Sequence, residues 1–273
     1  MSIIQPAILG IIQGITEFLP ISSSAHLVLT PWLFHWQDFG LTFDVALHFG
    51  TLLAIIAFFW KDWVNIFRSA FSSKSGSEKA DSLQLTASSY PKNLLWIIIV
   101  ATIPGSIAGV LLEKNAETIF RNPLLVAINL AVFGIIIWMI DRYAKRSYQL
   151  KAVNYKLGLL VGLAQMLAIV PGVSRAGSTM AAGRAIGLTR PDSARFSFLL
   201  AAPIMLGTSL FKFRHIDAGM LDAGFFVGIL TSAIFGFIAI KYLLQYLQKG
   251  NYAIFTWYRV IVALVVVIVY FVR

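Results

Sequence analysis

The 273-residue sequence has no cysteine and few charged residues. The absence of cysteine excludes disulfide bonds and thiolate metal sites, so a metal would have to be bound by carboxylates or histidines. Charged residues make up only 12% of the chain, whereas an ordinary soluble domain has about 25%. Hydrophobic residues make up 58%, and the mean hydropathy is +0.79. This composition predicts an integral membrane protein whose surface faces mostly lipid.

Six apolar stretches are long enough to cross a bilayer, which requires about 20 residues. They lie at about 41–60, 94–112, 123–140, 196–211, 224–247 and 255–272. We therefore predict an all-α membrane protein with six transmembrane helices.

The net charge of +10 could indicate nucleic-acid binding, but the Lys and Arg residues lie in loops between apolar stretches and form no single basic face. Segments 61–93 and 141–156 carry five Lys or Arg each, whereas 113–122 and 212–222 carry two each. Because cytoplasmic loops are enriched in Lys and Arg, this distribution predicts that both termini lie outside. The charge indicates membrane lipids as partners and no nucleic acid.

Two shorter apolar segments, 3–19 and 156–170, each run into a cluster of Pro, Ser and Gly. They resemble each other at an offset of about 148 residues, with a slip of three residues. The first has Leu9, Gly10, Gly14, Glu17, Leu19, Pro20 and Ser22, and the second has Leu157, Gly158, Gly162, Gln165, Leu167, Pro171 and Ser174. Paired, interrupted hydrophobic segments of this kind mark binding sites near the middle of the membrane.

The similarity predicts one membrane domain, 1–273, built from an inverted-topology repeat. Repeat 1 covers about 3–140 and repeat 2 about 156–272, each with one re-entrant broken helix segment and three spans. A polar stretch at about 72–92 is predicted to be a cytoplasmic loop. The alternative is that Pro, Gly and Ser merely kink ordinary membrane helices.

The first broken segment contains several groups that could carry chemistry. Gln13 and Glu17 are four residues apart, so they share a helix face. That face leads into residues 20–26, which include Ser22, Ser23, Ser24 and His26. Ionisable groups inside apolar segments are functional candidates because they are costly in lipid. The structural alternatives are serine helix caps, an interfacial imidazole and a Glu17–Arg175 packing pair.

The second segment, residues 171–179, has the composition of an anion-binding loop at the start of a helix. Gly172, Ser174 and Thr179 offer flexible backbone and hydroxyl groups. Free N–H groups at the start of a helix attract anions, and Arg175 can bind phosphate oxygens through two nitrogens. The segment has no Walker A pattern.

Residues 13–26 and 171–179 resemble the two motifs of the bacterial undecaprenyl-diphosphatases, also called bacitracin-resistance proteins. The resemblance extends over nearly the whole chain, with further similarity at Phe43-Asp44-Val45, at 196–200 and at Tyr258-Arg259. It implies an enzyme of the bacterial inner membrane that hydrolyses undecaprenyl diphosphate to undecaprenyl phosphate. This reaction would recycle the lipid carrier for cell-wall sugars, at a site opening to the outer face.

The residues and the resemblance together predict the following roles. The catalytic residues are Ser23 as nucleophile, with His26 or Glu17 accepting its proton. The diphosphate-binding residues are Arg175, Ser174, Gly172, Thr179, Ser22 and Gln13. Glu17 is the candidate ligand for a divalent cation, Mg²⁺ or Ca²⁺, which prefer oxygen ligands. The family has Glu or Gln at the position of Gln13. Because this chain has Gln there, a metal site with the single carboxylate of Glu17 is favoured over a site with two carboxylates.

Two alternatives follow from the same residues. A lipid carrier could use the repeat and the anion site to move a polyprenyl phosphate across the bilayer, but it has no evident use for a hydroxyl beside an imidazole. A phosphatase for diacylglycerol-type or small-molecule substrates is the other. A homodimer is a candidate assembly.

Overall fold

The structure is a computed structural model that describes residues 3–71, 90–112, 118–144, 148–213 and 221–273. Within these ranges it contains α-helices and three short 3-10 turns, and the only β-type pairing is an isolated bridge between Tyr148 and Leu188. The all-α fold class is therefore confirmed. Most of the polar loop predicted at about 72–92 lies outside the described residues.

The described ranges contain eleven α-helices. In chain order they are α1 (Ile4–Phe18), α2 (Ser23–Phe34), α3 (Gly40–Phe58), α4 (Trp60–Phe71), α5 (Leu94–Leu111), α6 (Pro123–Tyr143), α7 (Tyr155–Met166), α8 (Arg175–Ala185), α9 (Arg190–Phe213), α10 (Ala223–Tyr246) and α11 (Ala253–Val272). Six of these, namely α3, α5, α6, α9, α10 and α11, are long and apolar enough to cross a membrane. The six predicted spans are confirmed.

The largest difference between a predicted and an observed span is in α9, which begins at Arg190 and not at about 196. Thr189 accepts a hydrogen bond from the backbone N–H of Asp192 at 3.2 Å and donates to the Asp192 carboxylate at 2.7 Å. These bonds satisfy groups at the start of the helix. Hydropathy did not reveal this extra turn because its residues are polar.

Two pairs of short helices, α1 with α2 and α7 with α8, stand between the spans. The residues that separate the two helices of each pair are called the helix breaks. The first break separates α1 from α2 at residues 19–22, and the second separates α7 from α8 at residues 167–174. The last residue of each break, Ser22 or Ser174, has a positive φ, of 72° or 76°. Since non-glycine residues seldom adopt this conformation, the two breaks share an unusual turn geometry.

Glycines bring the short helices α1 and α7 close to neighbouring spans. A Cβ atom on Gly14 of α1 would lie 2.7 Å from the carbonyl oxygen of Ser232 in α10. A Cβ atom on Gly162 of α7 would lie 2.2 Å from the carbonyl oxygen of Ala101 in α5. Small residues permit such close backbone approach between membrane helices. Each short helix is therefore held directly against one span.

Aromatic packing fixes the end of α1 that leads into the first break. The buried rings of Phe18 and Phe198 meet edge to face, with centroids 5.2 Å apart. Phe59 is also buried and lies against Phe198, with ring centroids 6.3 Å apart. Because Glu17 immediately precedes Phe18, this packing also restricts where the carboxylate can lie.

Candidate active site

The two helix breaks bring Arg175 of the second half of the chain against two side chains of the first half, Glu17 and Ser23. Glu17 is the second-to-last residue of α1, Ser23 is the first residue of α2, and Arg175 is the first residue of α8. The Ser23 hydroxyl donates to Glu17 Oε2 at 2.5 Å, and Arg175 Nη2 donates to Glu17 Oε1 at 2.6 Å. The carboxylate therefore touches both the predicted nucleophile and the predicted phosphate-binding cation.

Two further side chains contact Glu17. Gln13 Nε2 donates to Glu17 Oε2 at 3.0 Å, and His48 Nε2 lies 3.3 Å from the same oxygen. Burial of a carboxylate is costly unless hydrogen bonds and opposite charge replace the lost water. Glu17 is buried, and four side chains supply these interactions.

His48 of α3 belongs to this site, although the sequence analysis missed it. Its Nδ1 lies 2.7 Å from the Asp44 carbonyl oxygen. Because a carbonyl only accepts hydrogen bonds, Nδ1 carries a proton, and Nε2 is the atom turned toward Glu17. A titratable residue inside an apolar span is itself a sign of function, and this sign could have identified His48.

A cavity of about 230 Å³ lies beside these residues. Its polar lining consists of Glu17, Ser23, Ser24, His48, Ser174, Arg175 and Thr208, and its apolar lining of Leu41, Val45, Ala168, Ile204 and Met205. One part of the lining can bind an anion, and the other can contact hydrocarbon. The cavity therefore suits an anionic group carried on an apolar chain.

Thr179 and Ser197 hold Arg175 in place. Arg175 Nη1 donates to the Ser197 carbonyl oxygen at 3.1 Å, and the Thr179 hydroxyl donates to the Arg175 carbonyl oxygen at 2.7 Å. The hydroxyl oxygens of Thr179 and Ser197 are 2.6 Å apart. Thr179 is fully buried and does not line the cavity, so it contacts Arg175 on the side away from the cavity and would not touch a substrate there.

Three other predicted diphosphate-binding residues lie in the helix breaks. The Gly172 N–H donates to the Ser22 hydroxyl at 3.1 Å, which joins the two breaks directly. The Ser174 hydroxyl accepts from the Gly177 N–H at 3.0 Å and so caps α8. Ser174 lines the cavity, whereas Ser22 and Gly172 are not among its lining residues.

His26 faces a different neighbour from the one that sequence reasoning suggested. Its Nδ1 lies 2.8 Å from the Ser22 carbonyl oxygen, so Nδ1 must be the donor there. Its Nε2 lies 2.8 Å from the Tyr258 hydroxyl, and the two rings stack with centroids 5.7 Å apart. Both nitrogens are therefore engaged, and His26 is not among the cavity-lining residues.

The donor set around Glu17 does not fit a divalent cation held by the protein alone. Across the described residues there is no group of three or more His, Asp or Glu side chains that could hold a metal. Both Glu17 oxygens already accept hydrogen bonds, and one partner, Arg175, is a cation. Mg²⁺ and Ca²⁺ favour several oxygen ligands, commonly carboxylates, and among the described residues Glu17 is the one carboxylate in the cavity lining.

The chain is similar to known proteins along its whole length. Residues 6–265 match the family model described as bacitracin resistance protein BacA. An undecaprenyl-diphosphatase of Moorella thermoacetica is 48% identical over 273 residues, covering all of both chains. One from Pelotomaculum thermopropionicum is 48% identical over 268 residues, covering 98% of this chain and 97% of the relative. One from Desulforudis audaxviator is 42% identical over 273 residues, covering all of both chains.

Proposed function

This chain belongs to the bacitracin resistance protein BacA family, and we propose that it hydrolyses undecaprenyl diphosphate in the cavity beside Glu17. The activity is that of an undecaprenyl-diphosphatase, a membrane hydrolase that converts this lipid to undecaprenyl phosphate and phosphate. The observation that carries the assignment to this cavity is the contact of Glu17 with both Ser23 and Arg175. A hydroxyl, a carboxylate and a guanidinium in one cavity are a minimal set for phosphoryl transfer.

Arg175 is proposed to bind the terminal phosphate. Its guanidinium is already oriented by the Ser197 carbonyl, and it lies on the cavity surface at the first residue of α8. A planar guanidinium can donate two parallel bonds to phosphate oxygens. His48 lines the same cavity, and with Nδ1–H donating to the Asp44 carbonyl it is proposed to add a second donor through Nε2 in its imidazolium form.

Ser23 is proposed to attack the terminal phosphorus. A bond forms between Ser23 Oγ and phosphorus, the bridging P–O bond breaks, and undecaprenyl phosphate leaves. The serine proton passes to Glu17, which lies 2.5 Å away. Water then hydrolyses the phosphoserine, and Glu17 returns the proton to the serine oxygen. Of the two predicted proton acceptors, Glu17 is favoured because the acceptor nitrogen of His26 is engaged by Tyr258.

This mechanism depends mainly on position and charge, as phosphoryl transfer does in general. Gln13 would act by holding Glu17, and Thr179 by holding Arg175. Ser22 and Gly172 would act by joining the two breaks. Glu17, the predicted ligand for Mg²⁺ or Ca²⁺, acts in this mechanism as the proton acceptor of Ser23.

An inverted repeat with two re-entrant segments is proposed to place this site within the membrane. The similarity of the two breaks at Ser22 and Ser174 supports it. The packing of the helices supports it too, since α1 lies against a span of the second half and α7 lies against a span of the first half. In this topology both termini lie outside, and the cavity opens to the outer face of the bacterial inner membrane.

Cysteine labelling tests the topology, because the natural chain has no cysteine. Lys92→Cys, just before α5, should react with a membrane-impermeant reagent only from the cytoplasm. Leu221→Cys, just before α10, should react only from outside. Labelling of both positions from one side would contradict the inverted topology.

Phosphate release by the purified protein in lipid nanodiscs tests the function. We expect inorganic phosphate from undecaprenyl diphosphate and little from a water-soluble phosphate monoester, because only the lipid presents a diphosphate at membrane depth. A lipid carrier would release none, and a small-molecule phosphatase would prefer the soluble substrate. The names of the relatives favour hydrolysis over a carrier. A homodimer stays a prediction.

A further inference from the structure

Arg259 is a charged residue deep inside the protein that is not part of the cavity lining. It lies in the last span, α11, and is 1% exposed. Among the described residues, no carboxylate forms an ion pair with it. Burial of a charge at membrane depth costs free energy, so a residue such as Arg259 is a candidate for a functional role.

Backbone carbonyl groups surround the guanidinium of Arg259. Nε donates to the Leu130 carbonyl of α6 at 2.9 Å. Nη1 donates to the Pro20 carbonyl of the first break at 3.1 Å. Nη2 donates to the carbonyls of Gly172 and Val173 in the second break, at 2.5 and 3.3 Å. One side chain therefore binds both breaks and attaches them to the same span.

We propose that Arg259 is a positioning residue for phosphoryl transfer: it fixes the two helix breaks relative to each other and so sets the distance between Ser23 and Arg175. This inference rests on the proposed function of the cavity. Pro20 precedes Ser23 by three residues, and Val173 precedes Arg175 by two. Displacement of either carbonyl would therefore move a reacting group directly.

The carbonyl groups of the breaks explain why a cation is retained here. Non-helical backbone inside a membrane leaves carbonyl oxygens without helical partners, and each unsatisfied group is costly. A guanidinium has five N–H donors in a rigid plane. Lysine has three donors on one atom and could not span the carbonyls of Pro20 and Gly172 in the same way.

The neighbouring span leaves space for this side chain. A Cβ atom on Gly134 of α6 would lie 3.3 Å from Arg259 Nε and 3.4 Å from Arg259 Cδ. Gly172, which has a φ of +96°, packs so closely on α6 that a Cβ atom there would lie 2.6 Å from the Val126 carbonyl oxygen. A side chain at either position would disturb the junction of the second break, Arg259 and α6.

Arg259→Lys is the direct test, and Arg184→Lys is its control. Arg184 is also buried, and it bonds the Asp141 carboxylate at 2.9 Å and the Leu188 carbonyl, but neither helix break. We expect Arg259→Lys to lower kcat by about 100-fold with KM changed less than about threefold, because small misplacement of reacting groups has effects of this size. Arg184→Lys should lower the thermal midpoint at least as much and leave kcat within about threefold of wild type.

Wild-type kcat in Arg259→Lys would overturn the proposal, as would losses of kcat that simply follow the thermal midpoint in both variants. Should Arg259→Lys fail to fold, Gly134→Ala crowds the Arg259 side chain, which must shift by a few tenths of an ångström, without removing its charge. That variant should lower kcat by about tenfold, and an unchanged kcat would contradict the proposal.

A distance measurement tests the same inference without turnover. Spin labels at Ile15→Cys, in α1 before the first break, and Leu167→Cys, the first residue of the second break, occupy exposed positions in the otherwise cysteine-free chain. The distance distribution should broaden when Arg259→Lys is added, and an unchanged distribution would overturn the positioning role. Because this readout needs no phosphate release, failure of the proposed function would appear separately, as an inactive wild type.

Discussion

Two buried carboxylates in this protein have similar charged partners but different surroundings. Glu17 is bonded by Arg175, and Asp141 is bonded by Arg184 at 2.9 Å and by Arg190 at 2.8 Å. In addition, Glu17 contacts the Ser23 hydroxyl. Both Glu17 and Arg175 line the cavity.

Asp141 has a third partner, the backbone N–H of Tyr252 at 3.3 Å, and it does not line that cavity. A buried ion pair therefore does not by itself identify an active site. The proposed active site is distinguished from the Asp141 site by the combination of a carboxylate, a hydroxyl and space for a substrate. The two regions should consequently respond differently to the same kind of substitution.

Glu17→Gln should have the largest effect on catalysis. It removes the base and keeps the approximate volume, so kcat should fall by about 10³-fold, within the range for loss of a general base. Single-turnover phosphate release from undecaprenyl diphosphate would measure it. A loss of less than about tenfold would assign proton acceptance to another group.

Asp141→Asn should instead act on stability. Removing the charge leaves Arg184 and Arg190 without their carboxylate, which for a buried pair costs on the order of 3 kcal/mol. Denaturation in detergent micelles should show a lower midpoint, while kcat per folded molecule stays near wild type. A large loss of kcat at an unchanged midpoint would show that the two regions do not differ as proposed.

Arg175→Lys tests the geometry of the cation at the Glu17 site. Lysine keeps the charge but cannot donate two parallel bonds, so kcat/KM should fall by about 100-fold, equivalent to one or two charge-assisted hydrogen bonds. Arg190→Lys is the matched control at the Asp141 site, and its kcat/KM should stay near wild type. Equal effects of the two variants would contradict the assignment.

His48→Gln should have the smallest effect. The glutamine amide can still donate to Glu17, but the variant lacks the imidazole that lines the cavity. KM should therefore rise by about tenfold, as expected for loss of one hydrogen bond to the charged phosphate. Asn93→Gln, at the start of α5, serves as a control outside the cavity. An unchanged KM would limit His48 to holding Glu17.

Much of the fold could be predicted from the sequence because apolar length alone marks the spans. The proposed site residues Glu17, Ser23 and Arg175 lie in local motifs that helix spacing and the position of proline single out in the sequence. Hydropathy could not locate the start of α9, because the Thr189–Asp192 cap is polar.

Long-range partners could not be predicted. The Tyr258 hydroxyl that engages His26 lies 232 residues away in the chain, and no local pattern connects the two. His48 was missed because it lies in a continuous apolar span outside both motifs. Arg259 was noted only as part of a sequence match, since its partners are backbone carbonyls that carry no sequence signal.

In the proposed mechanism the Ser23 hydroxyl beside Glu17 forms a covalent bond to phosphorus, and rapid quenching can trap that intermediate. Wild-type protein mixed with undecaprenyl diphosphate and quenched before one turnover should carry a phosphate on Ser23, detectable by mass spectrometry of the digested chain. Ser23→Ala should carry none and should release no phosphate, whereas Ser24→Ala, a neighbouring cavity serine, should retain both signals. Undiminished phosphate release by Ser23→Ala would show that Ser23 is not the nucleophile.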